Sequence, residues 1–556
     1  MLAVSASRIA VAHASRSIFS DLTCEVHDDR VAGFIGPNGC GKTTLLRVFA
    51  GEISPAEGTV SRRSDLSIGY LTQDVTLDPD QTIFAAARAE SIELIEIERA
   101  LSDVEERLGD PSVYEDEAKL QLALAEQEEL LEQFDRLGGP GLDTRIRATL
   151  HALGFRESDL RQTIGTLSGG QQKLVGLAAQ AVRCPDLLLL DEPDNHLDFA
   201  GKRHLERFLR EYDGGVVLVS HDRYLLDLAV DEILELEGGV LRRFTGNYSE
   251  YAIEKEELRA QEEHRYADQQ KEIRRLEQSA KRLMTWGVAF DNVKFIKRAQ
   301  AIEKRIERMD KVDRPHVERR MDLRLSGWRG STKVLEIKGL EKTYPGPSEK
   351  PHRVLGGLDL LVQHGESIGV VGPNGAGKSV LFRLILGEEP PTDGSIVVGP
   401  SIRIGYYAQQ HETLDPRRSP IDTLRHAAGI PESRAMQTLM RFAFTYDQAR
   451  RPTGDLSGGE RSRLQLALIV HSGANFLLLD EPTNNLDIAS AEILEDTLES
   501  FEGSVLVISH DRYFLDRVVD RIVELTSGSL TSYVGGYSEF ASRRGLLGAP
   551  SQGEVA

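Results

Sequence analysis

Residues 36–43 read GPNGCGKT, and residues 372–379 read GPNGAGKS. Both fit G-x-x-x-x-G-K-[ST]. Each stands between a strand-like and a helix-like apolar run: VAGFI before and TLLRVFAG after in the first, SIGVV and VLFRLILG in the second. That context is what a phosphate-cradling loop requires. Glycines let main-chain N–H groups approach phosphate oxygens, and the following helix turns its positive dipole end toward the anion. The first candidate loop is Gly36, Pro37, Asn38, Gly39, Cys40, Gly41, Lys42, Thr43 and Thr44. The second is Gly372, Pro373, Asn374, Gly375, Ala376, Gly377, Lys378, Ser379 and Val380. Lys42 and Lys378 have the reach for β- and γ-phosphates. The hydroxyls of Thr43 and Ser379 suit Mg2+, a hard cation that takes oxygen ligands.

The two loops belong to a long internal repeat. Gly36 to Gly372 and Gln73 to Gln409 are both offset by 336 residues. Ser168 to Ser457, Asp191 to Asp480 and His221 to His510 are all offset by 289. The offset drops once, by 47 residues, between Gln73 and Ser168. The first copy therefore carries an insertion, and Glu90 to Gly139 is its natural place. Both halves of that segment space apolar residues helically and carry acidic faces, which predicts a projecting helical arm.

Further pairs carry chemistry. Asp191 and Asp480 end the apolar runs LLLL and FLLL, and an acid at the end of a buried strand is costly unless it meets a cation. A Mg2+ role explains the placement. Glu192 and Glu481 come next, suited to polarise a water that attacks phosphorus. His221 and His510 follow apolar strands within VSHDR and ISHDR, as candidate γ-phosphate sensors. Gln73 and Gln409 gain weight from their equal offset, as candidate metal and water contacts.

Composition narrows the class. The 556 residues suffice for several domains, with 40% hydrophobic and 28% charged residues. A formal net charge of −21 argues against a generally basic nucleic-acid coat. Cys24, Cys40 and Cys184 have no disulfide or metal spacing, which fits a reducing cytosol. No apolar run approaches the roughly 20 residues of a membrane span, and MLAVSASRIA does not read as a secretory signal.

Taken together, these motifs resemble the two nucleotide-binding domains of the ATP-binding-cassette superfamily. LSGGQ begins at Leu167 and LSGGE at Leu456. The resemblance implies that these signature loops act in trans within an intramolecular cassette dimer. Ser168, Gly169, Gly170 and Gln171 would close over ATP held by Lys378. Ser457, Gly458, Gly459 and Glu460 would close over ATP held by Lys42. Asn195–Asp198 and Asn484–Asp487 resemble the loop that couples the sites. The copies also differ. Val380 replaces Thr44, Asp194 stands opposite Thr483, and Glu460 replaces Gln171. His13 aligns with Tyr344, where the family stacks an aromatic ring on adenine. Both glutamates are present, so two hydrolysis-competent sites are expected.

Between the copies, Ile273, Leu276, Ala280 and Leu283 step by 3, 4 and 3, and Phe295, Ala299, Ile302, Ile306 and Met309 by 4, 3, 4 and 3. These are heptad seams, which predict two helices side by side. A first helix of about 36 residues would reach about 54 Å. MTWGVAFDN would be the tip of the hairpin, exposing Trp286 and Phe290. Pro315 should break or kink the second helix. Lys271 to Lys311 holds twelve Lys/Arg and six Asp/Glu, so the hairpin is basic on an acidic chain. Lys/Arg supply phosphate affinity, and Trp or Phe can stack on bases.

Two cassettes, an arm in the first and a helical linker resemble the F subfamily of the superfamily. DEPTNNLD, SHDRYFLD, and the closing segments TGNYSEYA and VGGYSEFA strengthen the match. The expected fold is α/β. It has two P-loop nucleotide-binding domains of the ATP-binding-cassette type, residues 1–247 and 333–545. An α-helical hairpin linker over 248–325 joins them, a helical arm at about 90–139 is inserted in the first, and 546–556 forms a short tail. What the resemblance implies is a cytoplasmic, monomeric ATPase, with ATP and Mg2+, that binds the ribosome at the tRNA exit site. The hairpin would point at the P-site tRNA, rRNA and peptidyl-transferase region, and the arm at the L1 side. Both a translation factor and an antibiotic-resistance ribosomal protection protein fit. The alternative is the ATPase of a transporter with separate membrane subunits.

Overall fold

The apolar runs ending in Asp191 and Asp480 form strands Leu187–Asp191 and Phe476–Asp480, buried along their whole length. They are near-continuous Leu because each is covered on both faces. The computed structural model describes residues 1–13, 16–89, 92–136, 139–291, 293–309, 331–345, 351–408, 414–442, 444–484 and 486–545.

In the first cassette a six-stranded sheet runs Ile68–Leu71, Leu187–Asp191, Gly215–Val219, Val31–Ile35, Glu232–Glu237 and Val240–Thr245. The first five strands are parallel and the last is antiparallel. The second cassette repeats the order with Ile404–Tyr407, Phe476–Asp480, Ser504–Ile508, Ser367–Val371, Arg521–Thr526 and Ser529–Val534. This is the expected α/β fold. Both phosphate loops leave the carboxyl ends of central parallel strands, where such sheets bind ligands. Each cassette adds a three-stranded antiparallel sheet. These are Arg16–His27, Leu2–His13 and Glu57–Arg62 in the first, and His352–Gln363, Lys333–Tyr344 and Asp393–Val398 in the second.

The insertion between Gln73 and Ser168 contains helices Ile92–Leu108 and Glu117–Arg136, packed on each other with Val104 and Ala123 buried. A short helical turn, Pro111–Tyr114, joins them. The Asp110 carboxylate caps it by accepting the Ser112 N–H at 2.9 Å.

The segment between the cassettes, which begins at Tyr248, makes a compact unit of its own. One helix, Tyr248–Ala289, runs 42 residues, about 63 Å at 1.5 Å per residue. It packs on the helix Val293–Glu307, with Ala280 and Ala299 buried in the seam. The expected tip MTWGVAFDN is therefore too long: Met284 to Ala289 stay helical. Side chains four residues apart support this end. Thr285 Oγ1 donates to the Lys281 carbonyl at 2.9 Å, and the Arg282 guanidinium lies 5.5 Å from the Trp286 ring centre. The chain turns at Asp291, whose φ of +45° suits a residue that tolerates the left-handed region. Trp286 and Phe290 are both exposed, and Trp286 meets Phe295 at 6.4 Å between ring centres. Pro315 lies outside the described residues.

Candidate functional site

Each phosphate loop is built around one lysine. Lys42 and Lys378 are buried at the first position of their helices, Lys42–Ala50 and Lys378–Leu386. Lys42 Nζ donates to the carbonyls of Gly36 and Pro37 at 2.7 and 3.2 Å. Lys378 Nζ repeats this to Gly372 and Pro373 at 2.7 and 3.0 Å. These bonds fold the loop into a ring of main-chain groups. Neither helix has a side-chain N-cap, so its first N–H groups are open to an anion. Gly36 and Gly372 cannot be replaced cheaply. A Cβ would stand 2.4 Å from the Leu236 carbonyl oxygen or 2.2 Å from that of Leu525. Val380, where the first copy has Thr44, packs against its cassette's core.

Among the described residues both Asp191 carboxylate oxygens are buried without a hydrogen-bond partner. Burial raises its carboxyl to about 6, despite the pull of nearby Thr43 and Lys42. Asp480 is likewise raised to about 6, by burial and by the adjoining Glu481, with Ser379 opposing. Carboxylates in this state want a cation, so the residues fit Mg2+. Among the described residues no three His, Cys, Asp or Glu side chains could hold a metal together. A Mg2+ here would take its remaining oxygens from phosphate and water, as this ion commonly does.

Glu192 and Glu481 share a left-handed φ of +50°, a strain characteristic of functional positions. Glu192 N–H donates to Val219 O, and Glu481 N–H to Ile508 O, both at 2.9 Å. Gln73 Nε2 and Asn195 Nδ2 donate to Glu192 Oε2 at 2.9 and 2.5 Å, while His221 Nε2 stands 3.5 Å from Oε1. Burial pushes Glu192 up, but the His221 contact and the charges of Lys42 and Lys173 prevail and hold it at about 2. Asn484 Nδ2 donates to Glu481 in the same way. His510 is buried. Desolvation and the charges of Lys378 and Lys202 hold its imidazole well below the usual histidine range. Gln409 and the His13 side chain lie outside the described residues. Tyr344 ends its strand with its hydroxyl donated to Glu389 Oε2 at 2.6 Å and the Lys342 ammonium 5.0 Å from its ring centre.

Ser168 and Ser457 cap the helices Gly169–Ala181 and Gly458–Ser472, each in a reciprocal capping box with Gln171 or Glu460. The structure joins the cassettes through the loops that follow the glutamates. Asn38 N–H, in the first phosphate loop, donates to Asp487 Oδ2 of the second cassette at 3.0 Å. Asn374 N–H donates to Asp198 Oδ2 at 3.2 Å, and Asn374 Nδ2 to the His196 carbonyl at 2.9 Å. That same His196 carbonyl oxygen would lie 2.5 Å from a Cβ on Gly170. A single main-chain group thus links the first signature loop to the second phosphate loop.

Several contributors escaped the sequence reading. Lys173 Nζ donates to the Glu192 carbonyl at 2.7 Å. Arg223 pairs with Glu495 across the interface, and Arg512 with Glu206 at 2.6 Å. The Arg512 guanidinium also lies 4.3 Å from the Tyr224 ring centre, and that of Arg223 lies 5.1 Å from Tyr513. The signal was present: Arg223 to Arg512 and Glu206 to Glu495 carry the same 289 offset as the catalytic candidates.

Comparison with known proteins bears on the whole chain. The family model described as ABC transporter matches residues 19–195 and 355–484, and another of the same description matches 234–325. The energy-dependent translational throttle protein EttA of Escherichia coli (strain K12) is 33% identical over 550 residues, covering 96% of this chain and 94% of that protein. ABC transporter F family member 5 of Arabidopsis thaliana is 33% identical over 537 residues, 95% of this chain and 75% of that protein. Among solved structures, the archaeal ribosome recycling factor aABCE1, in complex with ribosomal stalk protein aP1, matches with a TM-score of 0.60 and 19% identity. That match covers 97% of this chain and 92% of the other, a likeness of fold.

The raised carboxyls predict a pH-dependent stability. An acid harder to ionise folded than unfolded destabilises the fold once it is ionised. The cost is absent below about 4, where both states are protonated, and full above about 6. Without nucleotide or metal, Asp191→Asn should therefore stabilise the chain at pH 8 by about 1–3 kcal/mol. Thermal melting should show that gain shrinking to nothing as the pH falls through 6 toward 4.

Proposed function

The chain belongs to the F subfamily of the ATP-binding-cassette family and is an ATPase with two composite sites; from that premise we propose that ATP-driven closure of its cassettes governs binding to the ribosome. The observation that carries the ribosomal reading is similarity to a translational throttle protein over 96% of this chain and 94% of that protein.

In each site the loop N–H groups and Lys42 or Lys378 hold the β- and γ-phosphates. Thr43 with Asp191, and Ser379 with Asp480, would hold Mg2+, which when bound offsets charge on the phosphate oxygens. Glu192 accepts a hydrogen bond from the attacking water and draws its proton as the water oxygen bonds to the γ-phosphorus and ADP departs. Its ionised state, favoured by His221, leaves the carboxylate an acceptor for that water, while Gln73 and Asn195 orient it. Glu481 acts correspondingly in the second site. Gln409 has the matching part to Gln73, and Tyr344 receives adenine. The signature loops of Ser168 and Ser457 close over the opposite ATP. The link from Gly170 through His196 to Asn374 supports that arrangement.

On the ribosome, the protein occupies the tRNA exit site in its closed form. The hairpin reaches toward the P-site tRNA and the peptidyl-transferase region, and the arm toward the L1 side. The exposed Lys281, Arg282, Lys294, Lys297 and Arg298, with Trp286 and Phe290 beside them, support RNA contact at the hairpin tip. The throttle function in the relative's name favours a translation factor over a protein that shields ribosomes from antibiotics. Drug sensitivity with and without the gene separates the two. Among the described residues no helix is long and apolar enough to cross a membrane. Co-sedimentation with ribosomes, set against co-fractionation with membranes, tests the transporter alternative.

Changing Glu192 and Glu481 together to Gln should cut hydrolysis at least about 100-fold while ATP still binds. The double variant should pellet with ribosomes and block translation in a reconstituted assay; free dissociation in ATP would overturn the closure reading. Reversing the charges of the five tip cations should weaken ribosome binding about tenfold or more and flatten its salt dependence. An unchanged salt slope in the pelleting assay would make the hairpin a passive connector.

A further inference from the structure

The 289 offset pairs the helix Phe199–Glu211 of the first cassette with Ile488–Glu499 of the second. Within that pairing Ile488 stands opposite Phe199, and Ala491 opposite Lys202. These two differences fall on the same target, His510 of the other cassette. Lys202 is buried, and its Nζ donates to the main-chain carbonyl of His510 at 2.9 Å and to Asp222 Oδ2 at 2.7 Å. The Phe199 ring meets the His510 imidazole edge-on, 5.2 Å between centres and 76° between planes. Phe199 is counted among the buried core residues of the second cassette, against Tyr537 at 4.8 Å.

His510 has few other anchors. Among the described residues neither of its ring nitrogens has a hydrogen-bond partner, although the residue is buried. His221 Nε2 also lacks a hydrogen bond among the described residues, but it stands 3.5 Å from Glu192 Oε1 of its own cassette, within ion-pair distance when the ring is protonated. Opposite His221, the positions matching Phe199 and Lys202 are an isoleucine without an aromatic edge and an alanine without a donor.

We propose that Lys202 and Phe199 are positioning residues for the second ATP site, and that the first cassette thereby sets the loop and ring of His510 while no equivalent pair sets His221. This rests on the reading of His510 as a γ-phosphate contact. A buried ammonium needs its partners. Lys202 has Asp222 in its own cassette and the His510 carbonyl in the other, so separating the cassettes strips it of one. Docking and the geometry of His510 are therefore one event. Hydrolysis by Glu481 requires the first cassette to be seated, and the two sites are unequal by construction.

Single-site backgrounds test this. Glu192→Gln leaves Glu481 as the competent glutamate, and Glu481→Gln leaves Glu192. In the Glu192→Gln background, Lys202→Met or Phe199→Ile should lower single-turnover kcat by about tenfold to hundredfold, as misplacement of a contact group does. KM for ATP should stay within about twofold, the signature of a loss confined to the transition state. Lys202→Arg should recover most of the rate. In the Glu481→Gln background the same changes should cost at least about fivefold less. Equal losses in both backgrounds, no loss in the first, or a loss carried entirely in KM would overturn the proposal. His510→Ala distinguishes the layers. If it leaves the Glu192→Gln background fully active, the reading of His510 fails. If it abolishes hydrolysis while Lys202→Met does not, only the positioning role fails. Histidine-selective NMR of the full chain adds a check without catalysis. The His510 ring resonance, assigned with His510→Ala, should move on Phe199→Ile, and a fixed resonance would also overturn the proposal.

Discussion

Neither phosphate loop is complete within its own half of the chain. The Asn38 N–H is taken by Asp487, and the Asn374 N–H by Asp198, each from the other cassette. This exchange makes every later step a property of the pair. Asp487 pays for its place by leaving water. Burial works against its charge, and hydrogen bonds from Ser490 and Asn38 hold its carboxyl below the usual range all the same. Weakening the contact between the cassettes would therefore disturb a loop geometry and a carboxylate's charge together.

The rest of the interface follows the same electrostatic logic. Buried charges are tolerated where a partner comes from across the boundary, as in Arg223 with Glu495 and Arg512 with Glu206. Such pairs add little net stability over apolar packing, but losing one member typically costs about 3–5 kcal/mol. They specify which faces meet more than how tightly. The carboxyls of Asp191 and Asp480 are the exception: Thr43 and Lys42, or Ser379 and Lys378, offset the cost of their burial only in part. That imbalance is one a bound cation would relieve.

Much of this was legible in the chain. The loops, the aspartates after leucine runs, and the constant offsets identify two copies of one α/β unit. The single drop in offset puts an insertion where helices Ile92–Leu108 and Glu117–Arg136 stand. What was not legible has a common cause. The bonds from Lys202 to His510 and from Asn38 to Asp487 join residues 308 and 449 apart, and no local pattern encodes them. The hairpin tip was misjudged for a different reason. A stretch such as MTWGVA lacks a strong helical period, and its helix is sustained by contacts of Thr285 with Lys281 and Trp286 with Arg282 and Phe295.

The long helix from Tyr248 to Ala289 has a mechanical consequence. Its first 39 residues contain neither glycine nor proline, so they offer no ready point at which to bend. A rod of about 63 Å turned by about 10° at its root would carry its far end about 11 Å, some two helical turns. Stiffness of that kind converts a small rotation at one end of the helix into a large displacement at the other.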